Sequence, residues 1–226
     1  MLKTVRLIEC MNWSWQGEGE NRGKKTLILR FKRCNRNCWF CDTKVKMKVM
    51  EEAEYSISDI QTMVNENNLQ VMITGGEPTY NNNLLGTILL LNKIDCEKFE
   101  VETNGFQLER LISEVKTKKN VTYVLSPKLF NTDDLDFYKN LVNVIKDNDN
   151  VIIKFVVEPL KSITYPHGTT FLDYLKEIKF NTNKLWLMPE GKTREELLLN
   201  SPRVFDLCEK YSANFSSRDH VIYDFV

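Results

Sequence analysis

Six short β-rich runs, at residues 26–32, 70–74, 99–102, 121–125, 151–157 and 184–188, alternate with longer stretches whose apolar residues recur three or four apart. Strands separated by segments of helical period are returned parallel to one another by crossover helices. Those helices are expected at 58–67, 84–93, 108–116, 135–145, 171–178 and 193–200. Two open on capping-box spacings, Ser58-x-x-Gln61 and Thr193-x-x-Glu196, in which each side chain satisfies a backbone donor. Ser201-Pro202 then restarts a helix, with proline at its first position. Six strand-helix units fall short of the eight that close a full barrel. The expected fold class is therefore α/β, an open partial (β/α)6 barrel with mainly parallel strands. With 226 residues and no internal repeat, low-complexity tract or linker, the chain is expected to form one domain over 1–226.

In parallel α/β architectures reactive groups gather at the carboxyl ends of the strands, and the polar signatures of this chain fall there. The first strand leads into Cys34-x3-Cys38-x2-Cys41, the second into Thr74-Gly75-Gly76-Glu77-Pro78, the third into Glu102-Thr103-Asn104-Gly105 and the fourth into Ser126-Pro127-Lys128. The last two end in Glu158-Pro159 and Pro189-Glu190-Gly191, and all are expected at one mouth. Three thiols within eight residues fold most simply around an iron-sulfur cube at that mouth, leaving one of its four irons open to a small molecule. Zinc is the alternative for clustered cysteines, but a structural zinc needs a fourth ligand. Cys10, Cys96 and Cys208 are dispersed, and His167 and His220 form no metal-binding pair. Those three cysteines read as plain buried thiols.

Charge excludes other classes. Thirty-one basic residues balance thirty-one acidic ones, so no net field draws nucleic acid or anionic lipid. The N-terminal residues lack an apolar signal region, and no run approaches the roughly 20 apolar residues of a membrane span. With thiols clustered for metal and not spaced for disulfides, the expected location is cytoplasmic.

Gly75-Gly76-Glu77-Pro78 has two readings. Paired glycines let backbone amides and carbonyls approach a ligand closely while Pro78 stiffens the exit, and an ordinary glycine turn has the same composition. Joined to the upstream cysteine spacing, in order on successive strand ends, the motif resembles the radical S-adenosylmethionine (SAM) superfamily. That resemblance implies a 4Fe-4S cluster held by Cys34, Cys38 and Cys41, with the open iron chelated by the amino and carboxylate groups of SAM. It implies reductive cleavage of the sulfonium to methionine and a 5′-deoxyadenosyl radical that abstracts hydrogen from the substrate. Gly75, Gly76 and Glu77 would bind the SAM amino group through their backbone, and Phe40 would join the cofactor site. Glu102, Asn104, Ser126 and Lys128 match positions that hold the ribose and methionine carboxylate.

A third series narrows the resemblance. Gln16-Gly17-Glu18-Gly19 precedes a strand containing Arg30, the cysteine loop closes on Cys41-Asp42-Thr43, and the chain ends near Arg218-Asp219-His220. Together these resemble the 7-carboxy-7-deazaguanine synthase family. The resemblance implies a lyase that contracts 6-carboxy-5,6,7,8-tetrahydropterin to 7-carboxy-7-deazaguanine on the route to deazapurines such as queuosine. A carboxypterin presents a donor-acceptor edge and an anion, which call for amide, carboxylate and guanidinium partners. By resemblance Gln16, Glu18, Arg30, Thr74 and His220 are assigned to substrate, and Thr43 to a magnesium ion, with Asp42 orienting it. The resemblance also implies an electron-donor protein such as a flavodoxin and allows a homodimer.

Two departures are visible: Lys32-Arg33 precede the first cysteine where the family pattern has glycine, and Thr79-Tyr80-Asn81 follow Pro78 where apolar residues are usual. Residues 44–55, rich in Lys, Met and Glu, read as a charged surface excursion. A glycyl-radical activase shares the cysteine spacing but lacks reason for Gln16-Gly17-Glu18-Gly19. A zinc-stabilised interaction module is the non-enzymatic alternative.

Overall fold

The computed structural model of the protein describes residues 3–115, 120–158 and 165–225. Within it the chain divides into two compact units, Met1–Gln16 with Gly23–Val124, and Gly17–Arg22 with Leu125–Val226.

The first unit begins with β1 (Thr4–Leu7) and β2 (Glu9–Trp15), followed by β3 (Lys25–Phe31), α1 (Lys44–Val49), β4 (Ala53–Ser56) and α2 (Ile57–Asn67). It continues through β5 (Gln70–Gly75), α3 (Asn82–Lys93), β6 (Phe99–Thr103), α4 (Leu108–Glu114) and β7 (Val121–Leu125). Its main strands lie in the order β2-β3-β5-β6-β7. β2 runs antiparallel to β3, whereas β3, β5 and β6 run parallel. The run Thr26-Leu27-Ile28-Leu29 is buried on both faces, as a strand covered on each side must be. Leu27, Leu29, Ile73, Phe99 and Val101 are fully buried, as are Ile60 on α2, Leu90 on α3 and Leu111 on α4.

The charged excursion at 44–55 is structured: α1 lies within it, and β4 pairs antiparallel with β1 in a two-stranded ribbon. The start of α2 also differs from expectation. Ser56, not Ser58, is the cap, its hydroxyl accepting from the Asp59 amide at 3.0 Å while Ser58 bonds the Ser56 hydroxyl. The cap is the last residue of β4, which delivers the chain two residues earlier than hydrophobic period alone indicates.

In the second unit β8 (Val151–Val157), β9 (Leu185–Pro189) and β10 (Asn214–Phe215) run parallel in that order. α5 (Thr132–Ile145), α6 (Tyr165–Glu177), α7 (Arg194–Tyr211) and α8 (Asp219–Tyr223) accompany them. Tyr138 and Phe171 pack edge-on at 6.3 Å between centroids, with Phe155 6.2 Å from Phe171. The capping box Thr193-x-x-Glu196 is present at the start of α7. The expected restart at Ser201-Pro202 is not: α7 is continuous through Pro202. The proline removes one intrahelical donor, but Leu197, Val204 and Tyr211 are all buried along the helix, and their packing carries it past that point. All six expected strands are present, and most strand pairs are parallel. Lys116 and Pro159, at the edges of two expected segments, lie outside the described residues. No helix among the described residues is long and apolar enough to cross a membrane.

Candidate active site

In the first unit, β3 ends at Phe31 and releases the chain into the cysteine loop. Cys38 is buried and Cys34 and Cys41 are half-buried. Burial pushes the Cys34 thiol up to about 11, with Glu77, Cys38 and Cys41 adding to the rise. The Arg36 amide points at the Cys34 sulfur, 3.4 Å away, the kind of N–H donor that tunes a metal-bound thiolate. Among the described residues, no three His, Cys, Asp or Glu side chains close around a single point as a lone ion requires. Thiolates bound to separate irons of a cube need not do so, and three sulfurs on one short loop with an amide donor fit that cube. Phe40 and the exposed Trp39 form an edge-on pair between the second and third cysteines, with centroids 5.3 Å apart.

The Gly-Gly-Glu-Pro turn is bolted to this loop. The Gly76 amide donates to the Phe31 carbonyl at 2.8 Å and the Glu77 amide to the Arg33 carbonyl at 2.7 Å. A side chain on Gly75 would strike the Phe31 backbone, and one on Gly76 the Arg33 carbonyl; Gly75 also has φ +123°. The glycines are thus required first by the approach of two protein backbones. A ligand's amino group donates its N–H bonds, so the backbone groups the turn can offer it are carbonyl oxygens.

Glu77 is turned inward, a role its sequence position does not reveal. Its carboxylate accepts from the Thr79 amide and hydroxyl at 3.0 and 2.7 Å, from the Thr103 hydroxyl at 2.5 Å and from the Asn104 amide at 2.6 Å. Burial pushes its carboxyl up, against the pull of these donors. Asn104 extends the connection, its side-chain amide donating to Asn35 in the cysteine loop at 2.8 Å.

Arg30 belongs to a row across the same strand ends. Glu9 on β2 is its partner in register and Thr74 on β5 its partner on the other side. Directly paired residues project to one face of a sheet, so Arg30 and Thr74 share a face, and Glu102 lies one step past the Ile73–Val101 pair on β6. Two residues back on that face are Met72 and Glu100, and the Gln16 amide nitrogen bonds both. Gln16, Arg30 and Thr74 are therefore brought together. Glu9 and Glu100 carry no signal in the sequence that marks them as part of this set. Thr43 stands immediately before α1, its hydroxyl donating to Asp42 at 3.1 Å and lying 3.4 Å from an Arg30 terminal nitrogen. A hydroxyl beside a carboxylate suits magnesium, which takes few protein oxygens and keeps its waters.

In the second unit, Glu18 is caged. Lys154 on β8 approaches Oε2 at 2.5 Å, Arg218 approaches Oε1 at 3.0 Å, and His220 Nε2 is 3.7 Å from Oε1. Arg218 also donates to the Gly191 carbonyl at 2.8 Å. The His220 ring lies on Gly17, where any side chain would collide with it. Residues 17–22 are tied to the C-terminal segment by Gly19 to Ser216 at 2.9 Å and Arg22 to Asp219 at 3.3 Å. Glu18 and His220 thus meet, while Ser126 and Lys128 form a pair at 2.6 Å. Lys154 was missed, although a lysine inside VIIKFVV is as conspicuous as the arginine inside LILRF.

Burial raises the Glu18 pKa, but Lys154, Arg218 and His220 outweigh it and hold the carboxyl well below the ordinary range. A depressed carboxyl stabilises the fold above its unfolded pKa of about 4.3, and that contribution is lost as pH falls through the folded value. The stability gap between wild type and Glu18→Gln should therefore be widest above about pH 5 and narrow steadily towards acid, followed by urea unfolding of the apo-protein. A pH-independent gap would show that the cage does not hold Glu18 ionised.

Residues 28–158 match the Radical SAM superfamily. A 7-carboxy-7-deazaguanine synthase from Clostridium acetobutylicum is 32% identical over 158 residues, 66% of this chain and 67% of that protein. The chain belongs to the 7-carboxy-7-deazaguanine synthase family of the radical SAM superfamily. Relatives of the same name from Hyperthermus butylicus and Halobacterium salinarum, 24% and 26% identical, are spanned over 94% and 88% of their lengths. Among solved structures, Streptococcus suis SuiB bound to S-adenosylmethionine shares the fold at a TM-score of 0.60 and 15% identity, over 85% of this chain. The chain spans about half the length of SuiB, 49%. Membership of this synthase family implies a 4Fe-4S cluster and SAM, and the cysteine loop described above has the donor set to hold the cluster.

Proposed function

We propose that the chain is a cytoplasmic radical SAM lyase that converts 6-carboxy-5,6,7,8-tetrahydropterin to 7-carboxy-7-deazaguanine, with magnesium as an additional cofactor. The observation that carries this reading is the Arg30–Thr74 pair with Gln16 on one sheet face, at the strand ends that lead into the cysteine loop and the Gly-Gly-Glu-Pro turn. In a chain of this family that placement supports recognition of a carboxylated pterin at the carboxyl-terminal strand ends. When bound, the cluster and SAM supply a 5′-deoxyadenosyl radical for hydrogen abstraction. Cys34, Cys38 and Cys41 would hold the cluster. Gly75 and Gly76 would meet the SAM amino group with carbonyl oxygens, Phe40 would pack beside the cofactor, and Glu102, Asn104, Ser126 and Lys128 would fix its ribose and methionine ends. Arg30 offers a planar fork to the substrate carboxylate, and Gln16, Glu18, Thr74 and His220 offer donors and acceptors to the ring edge. Thr43 would ligate magnesium through its hydroxyl. The family's need for a reductant points to a one-electron carrier such as a flavodoxin as partner.

The test is an anaerobic incubation of the reconstituted protein with SAM, a reductant and carboxytetrahydropterin, followed by mass analysis. Formation of the deazapurine acid with one ammonia lost is expected. SAM cleavage that occurs only when a protein partner is added, with the pterin untouched, would favour the activase reading instead.

A further inference from the structure

We infer that Glu9 and Lys46 take part in recognising the substrate's carboxylate: Glu9 as a positioning residue that fixes Arg30, and Lys46 as a second cation toward the same anion. The inference rests on the pterin reading above and adds two residues to it, one of them from the charged segment that has no other role.

The geometry is a single carboxylate shared between two cations. Glu9 Oε2 lies 2.5 Å from Arg30 Nε and Oε1 lies 2.9 Å from Lys46 Nζ. The Glu9 and Arg30 side chains are only 11% and 15% exposed, so this is a partly desolvated pair in which geometry is held, unlike a surface ion pair. Glu9 takes the guanidinium by its Nε edge and stops it rotating. The terminal nitrogens form the remaining fork, and one of them already reaches the Thr43 hydroxyl. A planar fork locked by one edge presents the other to an incoming carboxylate with little ordering left to do.

Lys46 is drawn to the same place from α1. Its neighbours Lys44 and Lys48 make α1 basic, but Lys46 is the one whose amine folds back across 37 residues of sequence onto β2. Two cations on one carboxylate leave an excess positive charge beside the Arg30 fork. Asp42 is next along the hydrogen-bond chain through Thr43, where it complements a divalent cation. The set thus contains matched places for the two charged partners expected of the substrate complex, its carboxylate and its metal. Burial alone would raise the Glu9 carboxyl, yet Arg30 and Lys46 together hold it below its ordinary range, in keeping with a carboxylate that stays ionised to keep both cations in place.

The test compares two fluorescent pterins, 6-carboxypterin and pterin without the carboxylate, titrated into the reconstituted protein with SAM and magnesium. Wild type should prefer the carboxylated ligand. Glu9→Gln and Lys46→Met should each weaken 6-carboxypterin about tenfold, about 1.4 kcal/mol, while leaving the carboxylate-free pterin nearly unchanged. Lys46→Arg should restore most of the loss. Equal weakening of both ligands would make the residues merely structural, and unchanged or tighter binding of 6-carboxypterin would also overturn the inference. Should Glu9→Gln fail to fold, Lys46→Met carries the test, because that side chain is 40% exposed. A wild type indifferent to both pterins would instead overturn the functional reading, and this inference with it.

Discussion

Cys38→Ala is expected to yield a folded but colourless protein after anaerobic reconstitution, without turnover. Cys38 is the most buried of the three loop thiols, 8% exposed, and it lies outside every strand and helix, so its replacement removes a ligand and little core packing. Two thiolates cannot retain a cube that already leaves one iron without a protein ligand. Iron and sulfide should therefore fall from about four of each per chain to near background, while the far-ultraviolet circular dichroism matches wild type. The same metal analysis separates the competing chemistry: about one zinc and no sulfide in the wild type would mark a structural metal instead. Retention of the brown colour and full turnover in Cys38→Ala would remove this thiol from the cluster.

Much of this arrangement was legible in the residues. Parallel strands followed from the alternation of β runs with helical period, and the strand ends followed from the parallel order, so the cysteine loop and the Gly-Gly-Glu-Pro turn could be placed without coordinates. Arg30 could be singled out through the family resemblance, and its place between Leu29 and Phe31 on a central strand makes it conspicuous. Its partner was not legible, since Glu9 reaches Arg30 through the register of an antiparallel strand, which a β-bulge between Met11 and Ser14 shifts. Sequence patterns report period and local capping, whereas cross-strand partners depend on register. Lys46 was hidden for a related reason. In a segment of alternating lysines and apolar residues, nothing local says which amine turns inward. The continuous α7 shows the opposite limit: a proline rule that holds for isolated helices yielded to burial of one face along 18 residues.

The motif glutamate carries the second large effect. Glu77→Ala is expected to destabilise the apo-protein by about 3 kcal/mol in urea unfolding, because it orphans the buried Thr79 and Asn104 amides at once. The hydroxyls of Thr79 and Thr103 can turn to other acceptors; backbone amides cannot. Glu77→Gln should lose less, since its one carbonyl oxygen keeps part of the set while its amino group faces donors. The loss should not stay local. Asn104 is held at its backbone by Glu77 and at its side chain by Asn35, so releasing the first leaves the β6 end on the cysteine loop by its side chain only and loosens the loop's anchor. Cluster reconstitution should therefore fall in Glu77→Ala more steeply than stability alone requires, measured as iron per folded chain below the unfolding transition. A loss under about 1 kcal/mol with normal iron loading would mean that the backbone bonds of Gly76 and Glu77 to Phe31 and Arg33, with the side-chain bonds of Asn83 and Asn104 to the loop, suffice to hold it, and that the carboxylate is dispensable.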